Sequence, residues 1–152
     1  MSAPELCNIL YVEDNPRLRC VTKMALEVIG RFHVRDCGSG RAALLEAAGF
    51  NADLILVDAQ SCLNDGLRAL ARLRLLPQLR DTPAMFITGL AAAADVTQYV
   101  AAGAIGIIAK PLEPLRLALQ VRQLWASQDE WSEGGRLPAP RQPRNTVLRS
   151  LI

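Results

Sequence analysis

Five side chains in this sequence could do chemistry together: Glu13 and Asp14, Asp58, Thr88 and Lys110. Each stands at the end of a short apolar run. Residues 6–12 lead into Glu13-Asp14, Leu-Ile-Leu-Val into Asp58, residues 84–87 into Thr88-Gly89, and residues 105–109 into Lys110-Pro111. Carboxylates are hard oxygen ligands, and two or three suffice for Mg²⁺, which keeps several waters. An ionised aspartate is also a nucleophile toward phosphorus, giving an aspartyl phosphate. Phosphoryl transfer is mostly positioning and charge neutralisation. Mg²⁺ and Lys110 would neutralise the transferring group, and the Thr88 hydroxyl could donate to one of its oxygens. A lone aspartate would read as a solvated acid opening a loop. Asp58 stands out because three other runs end the same way.

These groups can cooperate only if the runs are neighbouring strands. Leu54–Asp58 is an unbroken apolar run with turn-forming residues on both sides, the pattern of a strand buried on both faces. Helical patterns fill the intervals. After Asn15-Pro16, a cap followed by proline at a first helical position, Leu18, Val21, Met24, Ala25, Val28 and Ile29 recur at the spacing of one helix face, and Gly30 closes it. Residues 32–37 form a short second strand whose Val34 has polar neighbours, as at a sheet edge. Gly38-Ser39-Gly40 turns the chain into a helix over residues 42–48. Leu67, Leu70, Leu73 and Leu76 mark a third helix ending near Pro77, and residues 90–102 are helical by their alanine content. Pro114 opens the last helix. Strand and helix alternate five times, which predicts an α/β fold with a parallel sheet and helices on both faces. Ligands bind such sheets outside the carboxyl ends of the strands.

A chain of 152 residues with 51% hydrophobic and 21% charged residues is globular. The expected organisation is one domain over residues 1–126 and a Pro/Arg-rich flexible tail over 127–152, too short for a helix-turn-helix output domain. A net charge of +2 gives no electrostatic case for nucleic acid or a membrane surface. Residues 1–8 lack the features of a signal peptide, and no apolar run approaches the roughly 20 residues of a spanning helix. A cytoplasmic location is expected. Cys7, Cys20, Cys37 and Cys62 show no C-x-x-C spacing, so neither zinc nor a disulfide framework is expected, only buried or half-buried thiols. His33, the single histidine, lies in a strand-like run and suggests no metal or catalytic role.

At these residues the chain resembles the receiver domain of two-component response regulators, the CheY-like superfamily, in its stand-alone form. The resemblance covers about residues 6–125. It rests on the ordered set Val12-Glu13-Asp14-Asn15-Pro16, Asp53-Leu54-Ile55-Leu56-Val57-Asp58, Asn64-Asp65-Gly66, Phe86-Ile87-Thr88-Gly89, and Gly103-Ala104 with Ala109-Lys110-Pro111. It implies a flavodoxin-like sheet of five strands in the order 2-1-3-4-5. It also implies that Asp58 accepts a phosphoryl group from a sensor histidine kinase or phosphotransfer protein. Mg²⁺ would be held by Glu13, Asp14, Asp58 and the backbone carbonyl of Gln60, while Thr88 and Lys110 contact the phosphoryl oxygens. The Lys110-Pro111 bond would be cis. Output would pass to a protein partner, or to a second copy, through the fourth helix, fifth strand and last helix, within residues 90–125. The domain would turn over no metabolite beyond its own phosphorylation and slow autodephosphorylation.

Three positions depart from that family's pattern. Cys62 replaces a proline in the loop after the aspartate, which bears on loop rigidity. Ile107 replaces an aromatic residue that swings inward on activation, so the signal must leave differently or through Thr88 and the helix after it. Leu90, which with Gln60 would flank the hydrolytic water, cannot orient it by a hydrogen bond, and slow hydrolysis is expected. Two competing readings remain. Gly38-Ser39-Gly40-Arg41-Ala42-Ala43 matches the dinucleotide pattern G-x-G-x-x-A after a strand, with Asp58 about twenty residues on, but a nucleotide enzyme leaves Glu13-Asp14, Thr88 and Lys110 unexplained. A pseudo-receiver would share the fold and act only as a binding module.

Overall fold

The structure, a computed structural model, describes residues 4–60, 65–89 and 93–128. Strands β1 (Asn8–Val12), β2 (His33–Cys37), β3 (Leu54–Asp58), β4 (Ala84–Thr88) and β5 (Ala104–Ala109) alternate with helices α1 (Pro16–Met24), α2 (Gly40–Ala47), α3 (Gly66–Leu73), α4 (Ala93–Ala101) and α5 (Pro114–Ser127). The strands pair in parallel in the order β2-β1-β3-β4-β5, as the family resemblance implies. The chain moves from β1 to one edge and then to the other, so the topological switch point lies between β1 and β3.

β3 is central because neither face offers water a polar group: Leu54, Ile55, Leu56 and Val57 are each at most 1% exposed. Each such side chain contributes about 1.5–3 kcal/mol by leaving water. The strand period of two sorts the core into two layers. Leu10, Ile55, Val57 and Phe86 pack with α2, α3 and α4. Ile9, Tyr11, Leu56 and Ile108 pack with α1 and α5.

α1 corrects one expectation. It continues through a π-helical turn, Ala25–Ile29, before Gly30 closes it. Thr22, Ala25 and Leu26 face the sheet, while Val21, Met24, Val28 and Ile29 are exposed, Val28 to 74%. Apolar residues cover so much of this helix that their spacing fits two faces. The helix is seated by neighbours outside its own pattern: α5 packs on it, with the Arg122 guanidinium 4.3 Å above the Phe32 ring and hydrogen-bonded to the Gly30 carbonyl. Lower on α5, Trp125 Nε1 donates to the Pro4 carbonyl at 2.9 Å.

α4 directs Val96 and Tyr99 into the core and turns Thr97 and Gln98 outward, so polar residues face solvent on its described part. The exposed leucines of the last helix are Leu115 and Leu119. Cys7 and Cys20 are exposed rather than buried, and all three described cysteines are free. Burial pushes the Cys37 thiol up to about 12. His33 is exposed on the edge strand, with its ring edge-on to Phe50 at 5.5 Å. No described helix is long and apolar enough to cross a membrane. Cys62, Leu90 and residues 129–152, on which the loop, hydrolysis and tail expectations rest, lie outside the described residues.

Candidate functional site

Parallel register brings the reactive groups together. Val12 pairs with Val57, so the next residues, Glu13 and Asp58, leave adjacent strands side by side. The period of two puts both on the Tyr11 and Leu56 side of the sheet, that of α1 and α5. Thr88 follows Phe86 on the opposite side. Glu13 and Asp58 are each 2% exposed and Thr88 1%. From β5, Lys110 extends the ladder by donating its N–H to the Thr88 carbonyl at 2.9 Å, and its Nζ reaches Asp58 Oδ2 at 2.6 Å. The Lys110-Pro111 bond is cis, as expected.

The turns above the strands are fixed by their own polar residues. Asn15 caps α1, its Oδ1 accepting from Arg17 N–H at 3.0 Å and Leu18 N–H at 3.1 Å. The Asn15 N–H in turn donates to Glu13 Oε1 at 3.0 Å. Asp65 caps α3 through Leu67 N–H at 3.0 Å, and Gln60 and Asp65 form an isolated antiparallel bridge. Gly66 follows because no side chain fits: a Cβ there would stand 2.6 Å from the Asp58 carbonyl oxygen and 2.7 Å from Ala59 Cα. Arg19 Nη1 donates to the Glu13 carbonyl at 3.0 Å, while its Nε pairs with Asp36 Oδ2 at 3.2 Å. The Gln60 N–H donates to Asp58 Oδ1 at 2.8 Å.

The site is short of positive charge. Glu13 Oε2 is buried without a hydrogen-bond donor. Burial and the neighbouring Asp58 carboxylate push Glu13 up to about 8, against the opposing effects of the Asn15 N–H and Lys110. Two buried carboxylates facing one ammonium suit a hard divalent cation. Asp14 is half-buried at the next position, and among the described residues no three His, Cys, Asp or Glu side chains converge into a metal-holding group. The donor set nevertheless fits Mg²⁺, which is commonly held by one or two carboxylates and completes its octahedron with water.

The comparisons with known proteins agree with this geometry. Residues 9–122 match the response regulator receiver domain family. The chain belongs to that family. As a receiver domain it is 34% identical over 110 residues to the Shigella flexneri signal transduction histidine-protein kinase BarA, covering 72% of this chain and 12% of the kinase. It is 30% identical over 118 residues to the Bacillus subtilis transcriptional regulatory protein YvrH, covering 78% of this chain and 48% of the regulator. The receiver domain therefore spans half or less of these relatives' lengths. Among solved structures, chemotaxis protein CheY4 of Vibrio cholerae superposes with a TM-score of 0.72 at 24% identity, covering 79% of this chain and 99% of that one.

Of the residues singled out from sequence, the fold brings the half-buried Lys110 onto the buried Asp58, with Glu13 beside it and Thr88 at the end of the adjoining strand. Three contributors were not legible. Gly66 lets α3 start against β3, Arg19 fixes the Glu13 backbone, and the Gln60 side chain accepts from the Gly89 N–H at 3.1 Å. Gly66 belongs to the ordered set of motifs and Gln60 is expected to lend its backbone carbonyl, but neither position signals these roles. The dinucleotide pattern finds another explanation. Ser39 Oγ accepts from Ala42 N–H at 3.0 Å as the α2 cap, and Gly40 lies where a Cβ would stand 3.2 Å from Ala69 Cβ of α3. That turn follows an edge strand, away from the switch point.

Proposed function

We infer that Asp58 is the phospho-acceptor of this receiver domain, taking a phosphoryl group from a phosphohistidine on a sensor kinase or phosphotransfer protein. The observation that carries the reading is the Asp58 carboxylate itself, nearly fully buried, 2.6 Å from Lys110 Nζ and beside an acid with an unsatisfied oxygen. An Asp58 oxygen attacks phosphorus, the P–N bond to the donor imidazole breaks, and its electron pair leaves on the ring nitrogen. Lys110 holds one phosphoryl oxygen, and the Thr88 hydroxyl donates to another. The strands hold the nucleophile in line, which is most of what this chemistry asks of a protein. Mg²⁺, held by Glu13, Asp14, Asp58 and the Gln60 carbonyl, supplies charge neutralisation when bound. The domain turns over no metabolite, and its own phosphate hydrolyses slowly, because Leu90, two residues past Thr88 in sequence, offers no hydrogen bond to a water.

Output passes through the α4, β5 and α5 side to a protein partner or a second copy of the chain. Ile107 is buried in β5 opposite Phe86. The aromatic contact nearest Thr88 in sequence is instead Phe86 stacked on Tyr99 of α4, centroids 4.6 Å apart. A change at Thr88 thus has a packed route into α4. Intact-protein mass after incubation with acetyl phosphate tests the reading. A Mg²⁺-dependent gain of one phosphoryl group, absent in Asp58→Asn, is expected. No gain, with no binding of beryllium fluoride, would leave a receiver fold used only as a binding module.

A further inference from the structure

Where β3 and β4 end, their backbone ladder gives way to a side chain. Asp58 pairs with Ile87, and Ala59 N–H donates to the Ile87 carbonyl at 2.8 Å. The next link is Gly89 N–H to Gln60 Oε1 at 3.1 Å. Gln60 has its backbone against the nucleophile, its N–H on Asp58 Oδ1 at 2.8 Å, and its side chain reaching to the turn after Thr88. Gly89 itself lies between the two: a methyl group built on it would stand 3.8 Å from Lys110 Cβ and 3.9 Å from Gln60 Oε1. The orientation of the amide follows from its partner, since a peptide N–H can be met only by the amide oxygen.

A phosphoryl group on Asp58 brings three anionic oxygens to the ends of β3 and β4. A fixed backbone N–H is well suited to such charge because it needs no reorganisation, and the Gly89 N–H lies just past the end of β4. In the unphosphorylated domain that donor is already engaged. We propose that the Gln60 side chain is a latch on the Gly89 N–H, displaced when the phosphoryl group arrives. The N–H then passes from a neutral amide oxygen to an anionic phosphoryl oxygen. Charge-assisted bonds are roughly twice as strong as neutral ones, so the exchange favours the phosphorylated state and draws the turn after β4 toward Asp58. The intact latch raises the threshold for phosphoryl binding, because its bond must first be broken. Gln60 is thus a positioning residue that acts through Gly89, and the inference rests on the phospho-acceptor reading of Asp58.

Gln60→Met keeps the length of the side chain and removes the acceptor, leaving the backbone carbonyl in place. Gln60→Glu keeps the acceptor and adds negative charge. Beryllium fluoride, a phosphoryl mimic, is titrated with Mg²⁺ into wild type and both variants, and the Gly89 amide resonance is followed. The expected results are a shifted, faster-exchanging Gly89 amide in unliganded Gln60→Met, binding about two- to tenfold tighter than wild type, and weaker binding in Gln60→Glu. In wild type the Gly89 amide should move on saturation. Wild type that binds, with Gln60→Met binding equally or less tightly, or with the Gly89 amide unmoved, overturns the latch alone. Wild type that neither binds nor accepts a phosphoryl group overturns the phospho-acceptor reading, and the latch with it.

Discussion

The turns after β2 and β3 are built from the same parts and use them oppositely. Each has a capping residue, Ser39 or Asp65, and a glycine at a close approach, Gly40 or Gly66. After β2 the polar groups answer one another: Ser39 Oγ meets Ala42 N–H, and Asp36 is paired with Arg19 and Lys23. At the end of β3, Asp58 is buried on one lysine, and beside it, just past β1, Glu13 is pushed up by burial and that carboxylate. The first turn is spent on holding a helix. The second holds charge that the protein alone does not satisfy, and that surplus, rather than the glycine pattern, marks the end of the sheet where we propose the chemistry takes place.

The contrast can be broken most sharply at Asp58. Asp58→Asn should abolish phosphoryl uptake from acetyl phosphate, whereas Ser39→Ala should leave it intact; equal loss in both would erase the distinction. Lys110→Ala comes next. Loss of one preorganised charge partner should slow uptake about 100-fold, and a melting curve should show destabilisation from the uncompensated Asp58. A rate within twofold of wild type would remove Lys110 from the site.

The two glycines give a purely steric version. Gly66→Ala puts a Cβ 2.6 Å from backbone and should cost about 1–3 kcal/mol in urea unfolding. Gly40→Ala meets a methyl group at 3.2 Å and should cost less; the reverse order would contradict the geometry. A separate effect is expected from pH. Glu13 sits at about 8 in the folded state against an ordinary 4.5, so across that window the native state holds a proton the unfolded chain has lost. Stability should therefore fall as pH rises from about 5 to above 8. The slope should flatten in Glu13→Gln, and at pH 8.5 added Mg²⁺ should raise the Tm by about 3 °C or more; no difference between wild type and variant would show that Glu13 does not titrate there. Smallest of all, Ser39→Ala should cost about 1 kcal/mol, the usual worth of a helix cap, read from the same denaturation curves.

Strand-borne features were legible in the sequence because a buried parallel strand writes itself as an apolar run and its end as the first polar residue. That is why Leu54–Asp58, the sheet order through the family resemblance, and the grouping of Glu13, Asp58 and Lys110 can all be read from the sequence. Which face of α1 is buried was not legible, because residues Val21, Met24, Ala25, Leu26, Val28 and Ile29 leave too little polar surface to orient it. Nor could spacing reveal that Gln60 meets Gly89, 29 residues on, since one glutamine in a polar loop looks like any other. Arg122 was hidden for a related reason. A cation on α5 carries no sign in the sequence that it stacks on Phe32, near the start of β2.

The bond from Trp125 to Pro4 joins positions 121 residues apart, tying the first described turn of chain to the last turn of α5. The ends of the fold therefore do not fray independently: opening either one unseats the same indole. Amide exchange in residues 5–8 and in the final turn of α5 should accordingly share one opening free energy, and a closed seam of this kind makes loss from either end a loss from both.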